Sequence, residues 1–377
     1  MHILFRVRAR KLKYLLIFVS RLKQMDMDLN NKTLTIKDIA LHTGLSKGTV
    51  DRVLHNRGEV SKKSYEKVMA YIQESGYKPN VHASLLASGQ SRTIAVLLPY
   101  HETGSFWDLT EEGLRVAEEN VHGMGVLVRR FGYDQFDIDA FRQACNEVVD
   151  SHPDGVVVAP MFRAETSLLT HRLRDAGIPY VFIDHKLEEE GYMAYFGMPM
   201  YQSGYLCGAL LTNGQSVDEV VMIRIRRDKN QLSDPTVNRR AGFMDYMHEN
   251  FPETQIHNLF IDPKDSEANL QTLETFFADH PQVRYIVMFN SRIHLVVNFL
   301  EQHPERRWRV VGFDNLALNN EALKHGTVTL LIAQRPDEQI RLAVHALADK
   351  ILFKKDPVRR DHYMPMDILT RFNIDYY

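Results

Sequence analysis

Residues 33–90 run TLTIKDIALHTGLSKGTVDRVLHNRGEVSKKSYEKVMAYIQESGYKPNVHASLLASGQ, and this stretch decides how the chain is divided. Thr35 is placed to cap a helix whose Ile36, Ile39 and Ala40 recur at helical spacing. Gly44 breaks that helix, and Leu45 plugs the turn. Ser46 then caps a second helix through Leu54, with Val50, Val53 and Leu54 on one face. Lys47, Gly48, Asp51 and His55 point the other way. Two short helices joined by a glycine turn make a helix-turn-helix, which presents the start of its second helix to the major groove of DNA. A third helix is expected from Ser61, with Tyr65, Val68, Met69 and Ile72 as its buried face and Gly76 at its end. Lys62 and Lys63 in its first turn oppose the helix dipole, so phosphate contact is the better account of them than solvation alone.

The same residues resemble the head of the lac repressor (LacI) family, in the pattern T-I-K-D-I-A, G-L-S-x-x-T-V-x-R-V-L, V-S, G-Y-x-P-N and A-x-x-L-A-x-G-x-S. The resemblance is nearly unbroken from Thr33 to Ser91. It implies that Lys47 and Gly48 stand where base readout is concentrated, with Arg52 contacting DNA beside them. It also implies a hinge over residues 79–91 that orders on DNA, with Leu86 wedged into a minor-groove step. Without it, Val81 to Ala87 would be a plain linker helix, marginal by itself. The residues expected to face DNA are Thr35, Ser46, Lys47, Gly48, Thr49, Asp51, Arg52, His55, Lys62, Lys63, Asn80 and Leu86. Asp51 departs from the serine of many members. An acid there repels phosphate, and either accepts from a cytosine amino group or pairs with Arg52.

The chain has 377 residues, room for two or three domains, with 44% apolar and 25% charged residues, ordinary for a soluble globular protein. Its net charge of -2 alone argues against a nucleic-acid binder. The charge is uneven, however: residues 33–90 hold eight Lys/Arg against five acids, a basic head on a near-neutral body. Cys145 and Cys207 lack a CxxC neighbour and fit buried thiols of a reducing cytosol rather than a disulfide or metal site. Residues 1–32 are expected to be an extension outside the fold. Their apolar run, Tyr14 to Val19, is too short to span a bilayer, and Ser20-Arg21-Leu22-Lys23 offers no small-residue cleavage site.

From residue 92 to 377, apolar strand-like runs alternate with amphipathic helices. Nine strands are expected: Thr93–Leu98, Gly125–Arg130, Gly155–Ala159, Tyr180–Asp184, Val217–Ile223, Ile256–Ile261, Tyr285–Phe289, Val310–Phe313 and Thr327–Ile332. Helices are expected at Phe106–Val121, Asp139–Ser151, Glu165–Ala176, Asn238–Asn250, Glu267–His280 and Glu338–Phe353. The alternation predicts parallel sheets covered by helices, and nine strands fit two doubly wound lobes with a ligand cleft between them. The arrangement resembles the type I periplasmic-binding-protein-like body of the LacI family, more loosely than the head does. The whole is thus an all-α head, residues 33–78, on an α/β body that binds an effector and dimerises.

Candidate ligand residues follow strands. Phe106 and Trp107 fit stacking on the C–H face of a sugar, unless one of them is helix core. Asp184 and Asp314 end strands, where a carboxylate accepts from two hydroxyls; helix capping is the alternative for Asp314. Arg239 lies in Arg239-Arg240-Ala241-Gly242-Phe243, matching the family's R-x-x-G-F, where a guanidinium can fork two ligand oxygens. Asn290 matches the family's asparagine at the end of its strand, and Gln334 a family glutamine near the crossover between lobes. Two departures bear on the ligand. Pro199-Met200 replaces an Asp-Asn pair of many members, and Ser291-Arg292 follows Asn290 where many carry aspartate. Two acids are lost and Arg292 is gained.

No G-x-S-x-G, H-E-x-x-H or P-loop occurs, and Gly123-Met124-Gly125 precedes a strand rather than following one, so no enzyme signature or cofactor is read. The expected partners are double-stranded operator DNA, a small carbohydrate or acidic carbohydrate effector, and a second copy of the chain, in the cytoplasm and away from membranes. A DNA-binding dimer whose body no longer takes a ligand remains open, and less readily a solute-binding protein.

Overall fold

The structure is a computed structural model that describes residues 35–54, 58, 60–75, 91–187, 191–226 and 236–377. Gly76, His55, Asn80, Leu86, the expected hinge and the expected extension lie outside the described residues. Two compact units divide at residues 88 and 89.

The first unit contains α1 (Ile36–Thr43), α2 (Lys47–Leu54) and α3 (Lys62–Ser75). Thr35 caps α1 reciprocally with Asp38: the Asp38 amide donates to the Thr35 hydroxyl, and the Thr35 amide to the Asp38 carboxylate at 2.8 Å. Gly44 ends α1 in the left-handed region at φ 65, and its N–H returns to the Ala40 carbonyl. Ser46 and Ser61 accept from the amides of Thr49 and Ser64. Ile39, Ala40, Val50, Val53 and Val68 form the small core. One expectation fails here. Tyr65 and Met69 are exposed, and α3 packs instead through Val68, with Tyr71 and Ile72 partly covered. Three short helices provide only a narrow contact, which one stripe of α3 fills, and Tyr71 stacks on His42 at 3.9 Å between ring centres.

The second unit is two α/β lobes. The first sheet contains β1 (Arg92–Pro99), β2 (Val126–Tyr133), β3 (Gly155–Val158), β4 (Tyr180–Ile183), β5 (Ala194–Gly197) and β11 (Asp361–Tyr363), in the order β11-β5-β4-β3-β1-β2 and parallel throughout. The second contains β6 (Glu219–Ile225), β7 (Gln255–Ile261), β8 (Tyr285–Val287), β9 (Arg309–Phe313), β10 (Leu330–Ala333) and β12 (Asp367–Leu369), in the order β12-β10-β9-β8-β6-β7. Its one antiparallel pair joins β10 to β12. β3, β4 and β5 are buried along their whole length, as parallel strands covered on both faces must be.

The chain passes between the lobes three times, after β5, after β10 and after β11. The nine expected strands are all present, with ends shifted by a few residues. β5, β11 and β12 were not expected. The helix expected from Phe106 begins as a 3₁₀ turn, Phe106–Thr110, before α4 (Glu111–His122). The other expected helices are α5 (Ile138–Asp150), α6 (Arg163–Asp175), α8 (Val237–Asn250), α9 (Ser266–Asp279) and α12 (Pro336–Phe353); α7 (Met200–Thr212) opens the second lobe. Cys145 and Cys207 are free and buried in α5 and α7, and burial raises the Cys145 thiol to about 12.

α7 and α8 touch backbone to backbone through Gly204 and Gly242. A Cβ on Gly204 would overlap the Arg239 carbonyl, and one on Gly242 the Tyr201 carbonyl. Because Arg239 sits in this contact, the helix spacing also sets where its guanidinium emerges. Gly204→Ala should cost at least about 3 kcal/mol, the upper end of ordinary overpacking, since neither backbone can yield. Urea unfolding of the full chain measures this; a loss under 1 kcal/mol would mean the helices separate freely.

Candidate functional site

The head's outward surface is formed by the start of α2. Lys47 and Gly48 are exposed, Thr49 and Asp51 half-buried, and Arg52 exposed with its Nε donating to the Gly48 carbonyl at 3.2 Å. That bond lays the guanidinium back along its own helix. Lys62 and Lys63 are exposed at the start of α3. Thr35 and Ser46, both exposed, are engaged as caps, which fixes the helix ends from which these side chains project.

In the body, a cleft of about 830 Å³ opens between the lobes at the carboxyl ends of the strands. All eight expected ligand residues line it: Phe106, Trp107, Asp184, Arg239, Asn290, Arg292, Asp314 and Gln334. Phe106 and Trp107 meet edge to face at 5.0 Å between centres. Trp107 is also anchored in the first-lobe core, and Phe106 is half-buried.

Asp184 and Asp314 occupy equivalent places, one residue past β4 and past β9. Both are buried with positive φ, 62 and 67. This left-handed turn costs on the order of 1 kcal/mol for a non-glycine residue and is accepted at few positions. It is held by bonds from the main-chain amides: that of Asp184 donates to Gln339 Oε1 at 3.0 Å and to the Phe196 carbonyl at 3.2 Å, and that of Asp314 to the Ile332 carbonyl at 3.0 Å. Asp314 does not cap the following helix, α11 (Ala317–His325), which has no side-chain cap; its Oδ1 instead accepts from Gln334 Nε2 at 3.0 Å.

The two carboxyls differ in charge state. Burial raises Asp314 to about 6, with Asp184 adding to the rise and Arg239 opposing it. For Asp184, burial is overcome by the His185 imidazole, 2.6 Å from its Oδ2, and by Arg239, so its carboxyl stays below the usual range. One site therefore offers an ionised carboxylate beside one that is poised.

Arg239 is buried on α8. Its Nη1 donates to the Phe289 carbonyl at 2.8 Å, its guanidinium carbon lies 4.4 Å from the centre of the Phe313 ring, and its Nε has no partner. No carboxylate stands within ion-pair distance of it among the described residues. Arg292 and Lys264 are likewise without an ion pair. Both lie over the ring of Phe136, at 5.4 and 5.9 Å, so two second-lobe cations meet a first-lobe aromatic across the cleft. Burial lowers the Arg292 guanidinium pKa.

Several residues of this site carried no signal in the sequence. Asn319 donates to the carbonyls of Ser291, Phe313 and Asp314 and accepts from the His294 amide, fixing two strand-end loops to each other. Gln339 joins Asp184 to the Gln334 carbonyl. Phe136, Lys264, His185 and His294 also line the cleft. A lone polar residue in an amphipathic helix cannot be told from a solvated one by spacing alone.

The fold and cleft define a class: a helix-turn-helix head joined in one chain to a two-lobed α/β binding body. Residues 35–80 match the family described as bacterial regulatory proteins, lacI family, and residues 94–355 match the periplasmic binding protein domain. A crystal structure described as a LacI transcriptional regulator from Bacteroides fragilis is 33% identical, with TM-score 0.72 over 76% of this chain and 100% of that one. The ribose operon repressor of Halalkalibacterium halodurans is 25% identical over 76% of this chain and 82% of its own length. The HTH-type transcriptional regulator IdnR of Escherichia coli is 26% identical over 41% of this chain, a match that spans less than half of that regulator, 44%. The chain belongs to the LacI family. No helix among the described residues is long and apolar enough to cross a membrane.

The raised Asp314 pKa has a consequence for stability. Between about pH 4 and 6 the unfolded chain has released this proton while the native state keeps it, so stability falls as pH rises through that window. Asp184, depressed, acts oppositely and only at lower pH. Asp314→Asn should remove the fall and stabilise the protein at pH 7.5 by up to about 3 kcal/mol, two pH units at 1.4 kcal/mol each. Urea melts of both proteins at pH 4.5 and 7.5 measure it; an unchanged pH slope in the variant would show that Asp314 ionises normally.

Proposed function

We propose that this chain is a DNA-binding transcriptional regulator whose operator affinity is set by a carbohydrate bound between the lobes. The observation that carries this reading is the coexistence of an exposed recognition-helix start with a cleft holding an aromatic pair, two buried strand-end carboxyls and cations that form no ion pair among the described residues. Relatives named as ribose and sucrose operon repressors support a carbohydrate effector. The regulator acts as a homodimer in the cytoplasm, because one head reads one half-site and a two-fold pair reads a near-palindrome. No catalytic role is assigned to it. Its DNA-facing residues are those expected from the sequence, with Lys47 among the base readers and Lys62 and Lys63 on phosphate.

The effector carries an acidic group. Arg292 and Lys264 reach the cleft over a shared aromatic ring and form no ion pair among the described residues, and an arginine–anion pair outlasts a neutral hydrogen bond. Ser291 and Pro199-Met200, in place of the acids of many relatives, lessen the negative charge set against those cations.

In gel retardation, Lys47→Ala should weaken the preferred operator by about 1–3 kcal/mol more than random DNA, whereas Lys62→Ala should weaken both alike. Equal losses for both variants on both DNAs would contradict the assignment, and failure of the full-length protein to retard any genomic fragment at low salt would end the regulatory reading.

Calorimetry with the full chain and matched neutral, uronic and phosphorylated sugars tests the ligand. Arg292→Ala should cost an acidic sugar about 1.5–3 kcal/mol and leave its neutral counterpart unchanged. A neutral sugar binding as tightly as its acid, indifferent to Arg292, would restrict the effector to neutral carbohydrates. Binding of nucleosides or amino acids in place of any saccharide would remove the carbohydrate reading.

A further inference from the structure

Away from the cleft, at the amino ends of the second sheet, three side chains from three elements converge. Glu219 opens β6, and His257 lies on β7 beside Val221, two residues along from Glu219, so both project from one face of the sheet. α9 packs on that face and ends at His280, whose N–H returns to the Phe276 carbonyl. Glu219 Oε2 lies 2.9 Å from His257 Nε2 and 3.6 Å from His280 Nδ1, and all three atoms are within 4.8 Å of one another. The two imidazole rings are 4.2 Å apart, with Phe276 against both.

A hydrogen bond explains only half of this. One carboxylate oxygen serves His257 at 2.9 Å, while 3.6 Å to His280 is too long for a second bond. A tetrahedral cation with bonds of about 2.0–2.1 Å places its ligands about 3.3–3.4 Å apart, and both Glu–His separations fall within about 0.5 Å of that edge. Two imidazole nitrogens and one carboxylate oxygen exclude calcium and magnesium, which take oxygen ligands, and suit a first-row divalent ion. All three groups are partly exposed, leaving a fourth position to water.

We propose that Glu219, His257 and His280 form a binding site for a divalent transition-metal ion, zinc by preference. The ion clamps edge strand β7 and the end of α9 to β6. The site is separate from the cleft, because Glu219 and His257 stand at the amino ends of their strands while Arg224, Ile225 and Phe260, near the carboxyl ends of the same two strands, line the cleft. The sequence shows no motif for it: Glu219 and His257 are 38 residues apart and meet only through sheet pairing.

The experiment uses the full chain stripped with a chelator, then titrated with Zn²⁺ in calorimetry and with Co²⁺ by visible absorption. The expected result is uptake of one ion per chain at this site, a four-coordinate cobalt spectrum, and a Zn²⁺-dependent rise in Tm. Glu219→Gln, isosteric with the native side chain, should weaken Zn²⁺ by at least about 100-fold, since even outer partners of a ligand are worth roughly 10–100-fold. His280→Gln, at the most exposed of the three, repeats the test should the first variant fold poorly. The chain has 17 histidines, so an adventitious ion is the competing outcome. Equal Zn²⁺ affinity and stoichiometry in the native chain and both variants would show it and overturn the site, as would no uptake by the native chain.

Discussion

Where β4 stops, the Asp184 amide needs an acceptor in a place that solvent does not reach, and Gln339 supplies one beside the Phe196 carbonyl of β5. The same Gln339 amide donates to the Gln334 carbonyl, and the Gln334 side chain donates to Asp314. A single buried chain of hydrogen bonds thus runs from the end of a first-lobe strand, through the crossover after β10, to the end of a second-lobe strand. A buried polar group left unpaired costs about 1–3 kcal/mol, so each member of the chain depends on its neighbours staying put. The chain joins the left-handed turn at Asp184, the entry of α12 into the first lobe and the Asp314 carboxyl, while strand carbonyls at Phe196 and Ile332 hold the turns from the other side.

Electrostatics works within that frame. A buried arginine between two carboxyls would ordinarily collapse into an ion pair. Arg239 is prevented from doing so because its guanidinium is engaged by the Phe289 carbonyl and the Phe313 ring. Its charge still reaches both acids through the low-dielectric interior, which suffices to separate their protonation behaviour: His185 and Arg239 keep Asp184 ionised, while Asp314, hydrogen-bonded only by a neutral amide, is left poised. The arrangement keeps hydrogen-bonding capacity facing the cleft instead of consuming it internally.

Much of this was legible in the sequence, for reasons that differ by region. The head carries caps, a glycine turn and a periodic apolar face within a few residues of one another, all local signals, and the caps at Thr35, Ser46 and Ser61 are where spacing put them. Its one error, Tyr65 and Met69 on the buried face of α3, arose because periodicity gives a stripe but not its width. The long apolar strands were equally legible. β5 is four residues embedded in a loop, and β11 and β12 are three residues each, paired only because the crossovers bring them to sheet edges; such strands have no period to detect. The eight cleft residues were found from their places after strands and from the family's pattern. Asn319, Gln339 and Phe136 were not, since what they do depends on the partner that the fold brings to them.

The crossovers limit how the two lobes can be displaced. Arg335, at φ 54, forks the Asp367 carboxylate with bonds of 2.6 and 3.0 Å, and the Tyr377 hydroxyl donates to the same group. Those bonds from Arg335 and Tyr377 outweigh partial burial and hold the Asp367 carboxyl below its usual range. The crossover after β10 is thereby tied to the one after β11, while Met198, in the first crossover, lies against Arg239. Bidentate arginine pairs fix orientation as well as distance. The Met364 amide in turn donates to the Gly197 carbonyl at 2.9 Å, so the connection after β11 is tied to the one after β5 as well, and all three connections are bound to one another. Arg239 therefore stands beside the connection after β5 as well as in the cleft, its guanidinium held between Met198 of that connection and the Phe289 carbonyl at the end of the neighbouring second-lobe strand.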